Sequence, residues 1–126
     1  EALERYLDSD LPADRITVSS DGGGCLPVFD ADGRVTAMGV GDPGSLIDCL
    51  HRLLARGRDL AAVLPAFTSN VAALLRLPGK GRIAVGADAD LVVLAADGGV
   101  SDVMAGGSWH LRGGKIVRRG TFEDAQ

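Results

Sequence analysis

The chain has 126 residues, 46% hydrophobic and 24% charged, enough for one core and free of the bias that marks disorder. Thirteen basic and 17 acidic residues leave a net charge of −4 with no basic stripe, which argues against a nucleic-acid partner, and every apolar run breaks short of the ~20 residues a bilayer needs, which argues against a membrane partner. Cys25 and Cys49 fit neither a disulfide framework nor a C-x-x-C pair, so a reducing, cytoplasmic setting is expected.

Residues 1–7 open the chain with Leu3, Tyr6 and Leu7 at helical spacing. Because the first residue is Glu1, inside that helix and without Met, the expectation is a fragment whose upstream part is missing. Leu11, Pro12 and Asp14 close the helix, and residues 15–20, β-branched and small, predict a buried strand. There follows Ser19-Ser20-Asp21-Gly22-Gly23-Gly24. Three glycines remove every Cβ after Asp21, so the main chain can turn at once and the carboxylate can face the space above the strand. Asp-Gly is equally a common turn dipeptide, and from these six residues a catalytic rim and a solvated turn are matched readings.

Apolar runs at 25–29 and 35–40 flank the turn Asp30-Ala31-Asp32-Gly33 and predict a small hairpin. A helix starts at Asp42-Pro43-Gly44-Ser45, capped by Asp42 or Ser45, with Leu46, Ile47, Leu50, Leu53 and Leu54 on one face and Gly57 at its end. Asp59 starts another helix carrying Leu60, Val63 and Leu64, and Thr68-Ser69-Asn70 caps a third over Val71 to Leu75. From Gly81 onward helical periodicity vanishes. Short β-rich runs at 91–94, 100–104, 109–111 and 115–117 alternate with glycine turns, so a boundary is placed at 78–82 between a helical α/β part and a small β part.

The other chemically capable side chains have plain readings. His51 is expected on the polar side of its helix, and His110 beside Trp109 in the β part; neither has H-x-H or H-E-x-x-H company. Asp88 and Asp90 read as turn chemistry rather than an acid/base dyad, and Trp109 as an apolar anchor. Arg52, Arg56 and Arg58 read as a solvated helix face and loop.

Two sets of motifs resemble a known family. Thr68-Ser69-Asn70-Val71-Ala72, Gly79-Lys80-Gly81-Arg82-Ile83, Gly86-Ala87-Asp88-Ala89-Asp90-Leu91-Val92-Val93-Leu94 and the glycine pairs at 106–107 and 113–114 look like the C-terminal end of metal-dependent amidohydrolases. Val18 to Gly24 with Pro27 and Phe29, then Asp32-Gly33-Arg34-Val35-Thr36, Gly39-Val40-Gly41 and the closing Gly120-Thr121-Phe122-Glu123, resemble the bacterial isoaspartyl dipeptidases.

The resemblance implies an α/β fold. Residues 1–80 would be the last strand (15–20) and last helices (after 44) of a (β/α)8 TIM-like barrel, and 81–126 a small β-sandwich segment. It implies zinc-dependent hydrolysis of β-aspartyl dipeptides at a two-metal site in a homo-oligomeric parent enzyme. Asp21 would be the strand-8 carboxylate that binds metal and handles the proton of the attacking water. Cys25 stands where the family has a substrate-holding Ser, and a thiol is a weaker hydrogen-bond donor. With two histidines in all, the isolated chain is expected to be inactive. Related readings are an N-acyl-amino-acid deacylase or a dihydroorotase-like enzyme, and, from another class, a non-catalytic scaffold of the same fold.

Overall fold

A computed structural model describes residues 2–120; Glu1 and the Thr121-Phe122-Glu123 end of the last motif lie outside the described residues. The chain divides into two compact units, Glu1–Leu75 and Arg76–Gln126.

In the first unit, helix α1 (Ala2–Leu7) buries Leu3 and sets Leu7 against a core shared with Leu50, Leu53, Val63 and Ala66. Helix α2 (Ser45–Ala55) supplies the largest share of that core, because Ile47, Leu50, Leu53 and Leu54 recur at i, i+3 and i+4 and form one stripe. Neither Asp42 nor Ser45 is its cap: that position is Gly44, with no side-chain cap hydrogen bond, and the Asp42 Oδ1 accepts from the Gly44 N–H at 2.9 Å in the turn before the helix. The helix ends as predicted at Gly57, which takes φ +81 while its N–H donates to Leu54 O and that of Arg58 to Leu53 O; only glycine takes this left-handed turn without strain. Helix α3 (Leu60–Val63) starts at Asp59, whose side chain accepts from Ala61 N, and brings Val63 to complete burial. After a 3-10 turn, α4 (Ser69–Leu74) closes the unit.

Two expectations fail here for physical reasons. Residues 15–20 are not a strand: Ala13–Arg15 is a 3-10 turn and 16–20 run extended with no ladder among the described residues. Their β-branched side chains favour extended backbone, and Ile16 and Val18, two residues apart, do turn to the core. A ladder, however, needs a neighbouring strand, and the described bonds to this segment are isolated: Val18 N–H to Ala66 O at 3.0 Å, and Asn70 Nδ2 to Ala13 O and Ile16 O at 2.8 and 2.9 Å. Asn70 is therefore a buried clamp and not a cap, and Thr68 turns its hydroxyl back to Leu64 O.

Strands β1 (Cys25–Phe29) and β2 (Val35–Val40) form the expected hairpin, paired Cys25 to Val40 through Val28 to Ala37, with a bulge before Phe29. Asp30 locks the turn by accepting from the N–H groups of Asp32 and Arg34, both at 2.9 Å.

The second unit is an antiparallel meander of β3 (Leu91–Leu94), β4 (Val100–Ala105), β5 (Ser108–Arg112) and β6 (Lys115–Ile116), in spatial order 3-4-5-6. The described residues of this unit form this one sheet, and the second layer that would make a sandwich is not among them. All of the described core residues with buried side chains lie between positions 3 and 72. The sheet is fastened instead by ladders and by clasps at its turns. Lys80 Nζ pairs with Asp88 at 3.0 Å and with Asp90, whose other oxygen accepts from Gly106 N at 2.7 Å. Asp102 accepts from Ser101 Oγ at 2.6 Å and Gly113 N at 2.9 Å, and the Arg112 guanidinium lies 5.5 Å from the Trp109 ring centroid.

Candidate functional site: the Asp21 glycine loop

Asp21 stands at the end of the extended segment with φ 50, left-handed backbone that a non-glycine residue adopts at a cost. The loop holds it there through the main chain. Ser19 Oγ accepts from Asp21 N at 3.2 Å, and Asp21 O accepts from Gly24 N at 2.8 Å. The loop is then stitched to the far end of the hairpin: Gly22 bridges Gly41 in parallel sense, Gly23 N donates to Gly41 O at 3.0 Å, and Gly41 N donates to Gly24 O at 2.9 Å. No hydrogen bond or ion pair among the described residues engages the Asp21 carboxylate, and the residue is exposed.

Cys25 begins β1 directly after the loop, exposed and with a free thiol. Asp21 and Cys25 thus flank Gly22-Gly23-Gly24. Cys25 is not packed behind the glycines; the core-side cysteine is Cys49.

The other candidates stay apart. Asp88 and Asp90 are joined to one lysine, and the Gly106 N–H together with Lys80 holds the Asp90 carboxyl below the usual carboxylate range. His110 lies in β5, its carbonyl accepting from Val117 N. His51 is a correction: its Nε2 is buried with no hydrogen-bond partner. Ile47 at i−4 and Leu54 at i+3 place it on the margin of the apolar stripe, which a reading by polarity alone assigns to water. Arg56 and Arg58 are a second correction. Arg56 pairs with Glu4 at 2.5 Å, and Arg58 makes two 2.5 Å bonds to Asp8, lowering the Asp8 carboxyl and raising the guanidinium. Acid–base pairs some 50 residues apart leave no mark in a local pattern.

A zinc ion takes carboxylate oxygen, and the unengaged oxygens of Asp21 suit one ligand position. The described residues bring no three His, Cys, Asp or Glu side chains together, so they fit the ion as one donor and not as a complete site. Among the described residues of the first unit, a hollow of about 430 Å³ runs along Cys49, Arg52, Leu53 and Arg56 and another of about 410 Å³ lies around Asn70 and Val63; Asp21 lines neither of these. No helix among the described residues is long and apolar enough to cross a membrane.

This glycine loop followed by a hairpin, helices and a terminal meander is matched by the profile of the amidohydrolase family over residues 1–116, and the chain belongs to that family. Among solved structures, it is similar to the β-aspartyl dipeptidase of the keratin-degrading thermophile Fervidobacterium islandicum AW-1, in a crystal structure with β-Asp-Leu dipeptide. Identity is 32% and the TM-score 0.84, over 97% of this chain and 32% of that one. A second structure of β-aspartyl dipeptidase from that organism matches with 28% identity and a TM-score of 0.77, over 97% of this chain and 29% of the other. The chain therefore spans about a third of the length of the solved chains it matches.

Proposed function

We propose that these residues belong to an isoaspartyl dipeptidase, in which the unpaired segment 16–20 gains its ladder from the other strands of a (β/α)8 barrel in the full-length enzyme and Asp21, at its end, is the acid/base and metal-binding carboxylate. The observation that carries this is the carboxylate itself: held by strained backbone at the head of a glycine loop, engaged by no described partner, in a chain 32% identical to a β-aspartyl dipeptidase seen with a dipeptide. A barrel enzyme draws its catalytic groups from strand ends, and the loop after residue 20 would be one.

Zinc, with Asp21 as this chain's one ligand, would supply a water of lowered pKa. Asp21 then has two tasks. Its carboxylate accepts the proton released as the water oxygen bonds to the β-carbonyl carbon, and it returns that proton to the amide nitrogen as the C–N bond breaks. Proton and bond counts balance, and Asp21 ends ionised. Cys25, four residues on, holds the dipeptide through a thiol that donates more weakly than a hydroxyl, so Cys25→Ser is expected to lower KM.

The test is to assay the full-length protein carrying these residues against β-Asp-Leu and against an N-acyl amino acid, before and after chelation. Cleavage of the β-aspartyl peptide that is lost on chelation and restored by zinc is expected. Preference for the N-acyl substrate would move the protein to another amidohydrolase, and an inert protein without bound metal would make it a scaffold.

A further inference from the structure

The carboxylate of Asp21 sits against the face of Gly24. A Cβ built on Gly24 would come within 2.6 Å of Asp21 Cγ, Oδ1 and Oδ2 alike, so the carboxyl group as a whole occupies the space a side chain at position 24 would need. A Cβ on Gly41 would come within 1.9 Å of the Asp21 carbonyl oxygen and 3.0 Å of Ser20 O. Gly41 is buried, 20 residues further along the chain, and its N–H and C=O both bond into the loop. The φ of neither glycine lies in the left-handed region, so close approach and not backbone freedom demands glycine at both. By contrast Gly23, with φ +80, has nothing within 4 Å of its Cβ direction; it serves the turn.

We infer that Gly24 and Gly41 are positioning residues for the Asp21 carboxylate, Gly24 by yielding the space the carboxyl group occupies and Gly41 by seating the Asp21 carbonyl against the hairpin. This rests on the assignment of Asp21 as the reacting carboxylate. The three atoms nearest a Gly24 Cβ all belong to the Asp21 carboxyl group, so Gly24→Ala pushes first on a side chain that can rotate and moves the carboxylate before the loop backbone. Gly41→Ala pushes on backbone oxygen and displaces the loop itself.

The experiment is a double-mutant cycle in the full-length protein, reading kcat, KM and melting temperature with β-Asp-Leu as substrate. Gly24→Ala is expected to lower kcat by ~100-fold, the effect of roughly a 1 Å misplacement, with KM little changed. In an Asp21→Ala background the clash has no second partner. Gly24→Ala there should remove no further activity, and any fall in melting temperature caused by Gly24→Ala alone should be recovered. Normal kcat in Gly24→Ala, or the same fold loss in both backgrounds, overturns the inference while leaving Asp21 assigned. Normal turnover in Asp21→Ala overturns the assignment of Asp21 and the inference with it.

Discussion

Asp21 and Asp90 each stand in glycine-rich surroundings, and the chain treats them in opposite ways. Asp90 is engaged on both oxygens, by Lys80 and by the Gly106 N–H, and its carboxyl is held below the usual range. Asp21 is fixed through its backbone: its N–H donates to Ser19, its carbonyl accepts from Gly24, and its φ is 50, while its carboxylate has no described partner. A carboxylate whose charge is already paired with a lysine and whose other oxygen accepts from a backbone N–H is committed to closing a turn. One held only from behind keeps its oxygens open, as the proposed roles of ligand and base require. The same residue type in similar glycine context thus has its carboxylate tied up or left open according to which of its atoms the fold engages.

The sharpest way to break this contrast is to move the free carboxylate. Asp21→Glu keeps the charge but adds a methylene above Gly24, and kcat in the full-length protein should fall by ~100-fold with the melting temperature nearly unchanged. Next in size is the support under the loop. Asn70→Ala leaves Ala13 O and Ile16 O without their buried donor, and a loss of about 1–3 kcal/mol is expected by denaturant titration. Smallest is the aspartate engaged on both oxygens. Asp90→Asn should lower the melting temperature slightly and leave kcat within about twofold, a surface-pair effect. The pH dependence follows with the same sign. Gly106 with Lys80 at Asp90, and Ser101 with Gly113 at Asp102, depress both folded-state carboxyls. Their contribution is therefore present above the ordinary carboxylate range and lost as pH falls through the depressed folded values, which pH-dependent melting of the β unit would register.

Much of the local structure was legible. The hairpin follows from two apolar runs around Asp-Gly, α2 from its stripe and Gly57, α3 from the Asp59 cap, and β3 from four consecutive β-favouring residues at 91–94. What escaped depends on distant partners. Residues 15–20 carry strand composition, yet a ladder is a property of two segments. Asn70 sits where caps sit, but its amide reaches carbonyls 54 and 57 residues away. Arg58 and Asp8 meet across 50 residues. At the candidate site the prominence of Asp21 was readable from its three glycines; Gly41 was not, because its contact with the Asp21 carbonyl exists only once the hairpin folds back.

The most direct measurement compares Asp21→Asn with Asp90→Asn in the full-length protein, as kcat for β-Asp-Leu at saturating zinc. Removing the base at position 21 should cost roughly 10³-fold while the change at 90 is nearly silent. Turnover by Asp21→Asn at the level of Asp90→Asn would contradict the claim that the unengaged carboxylate is the one that reacts.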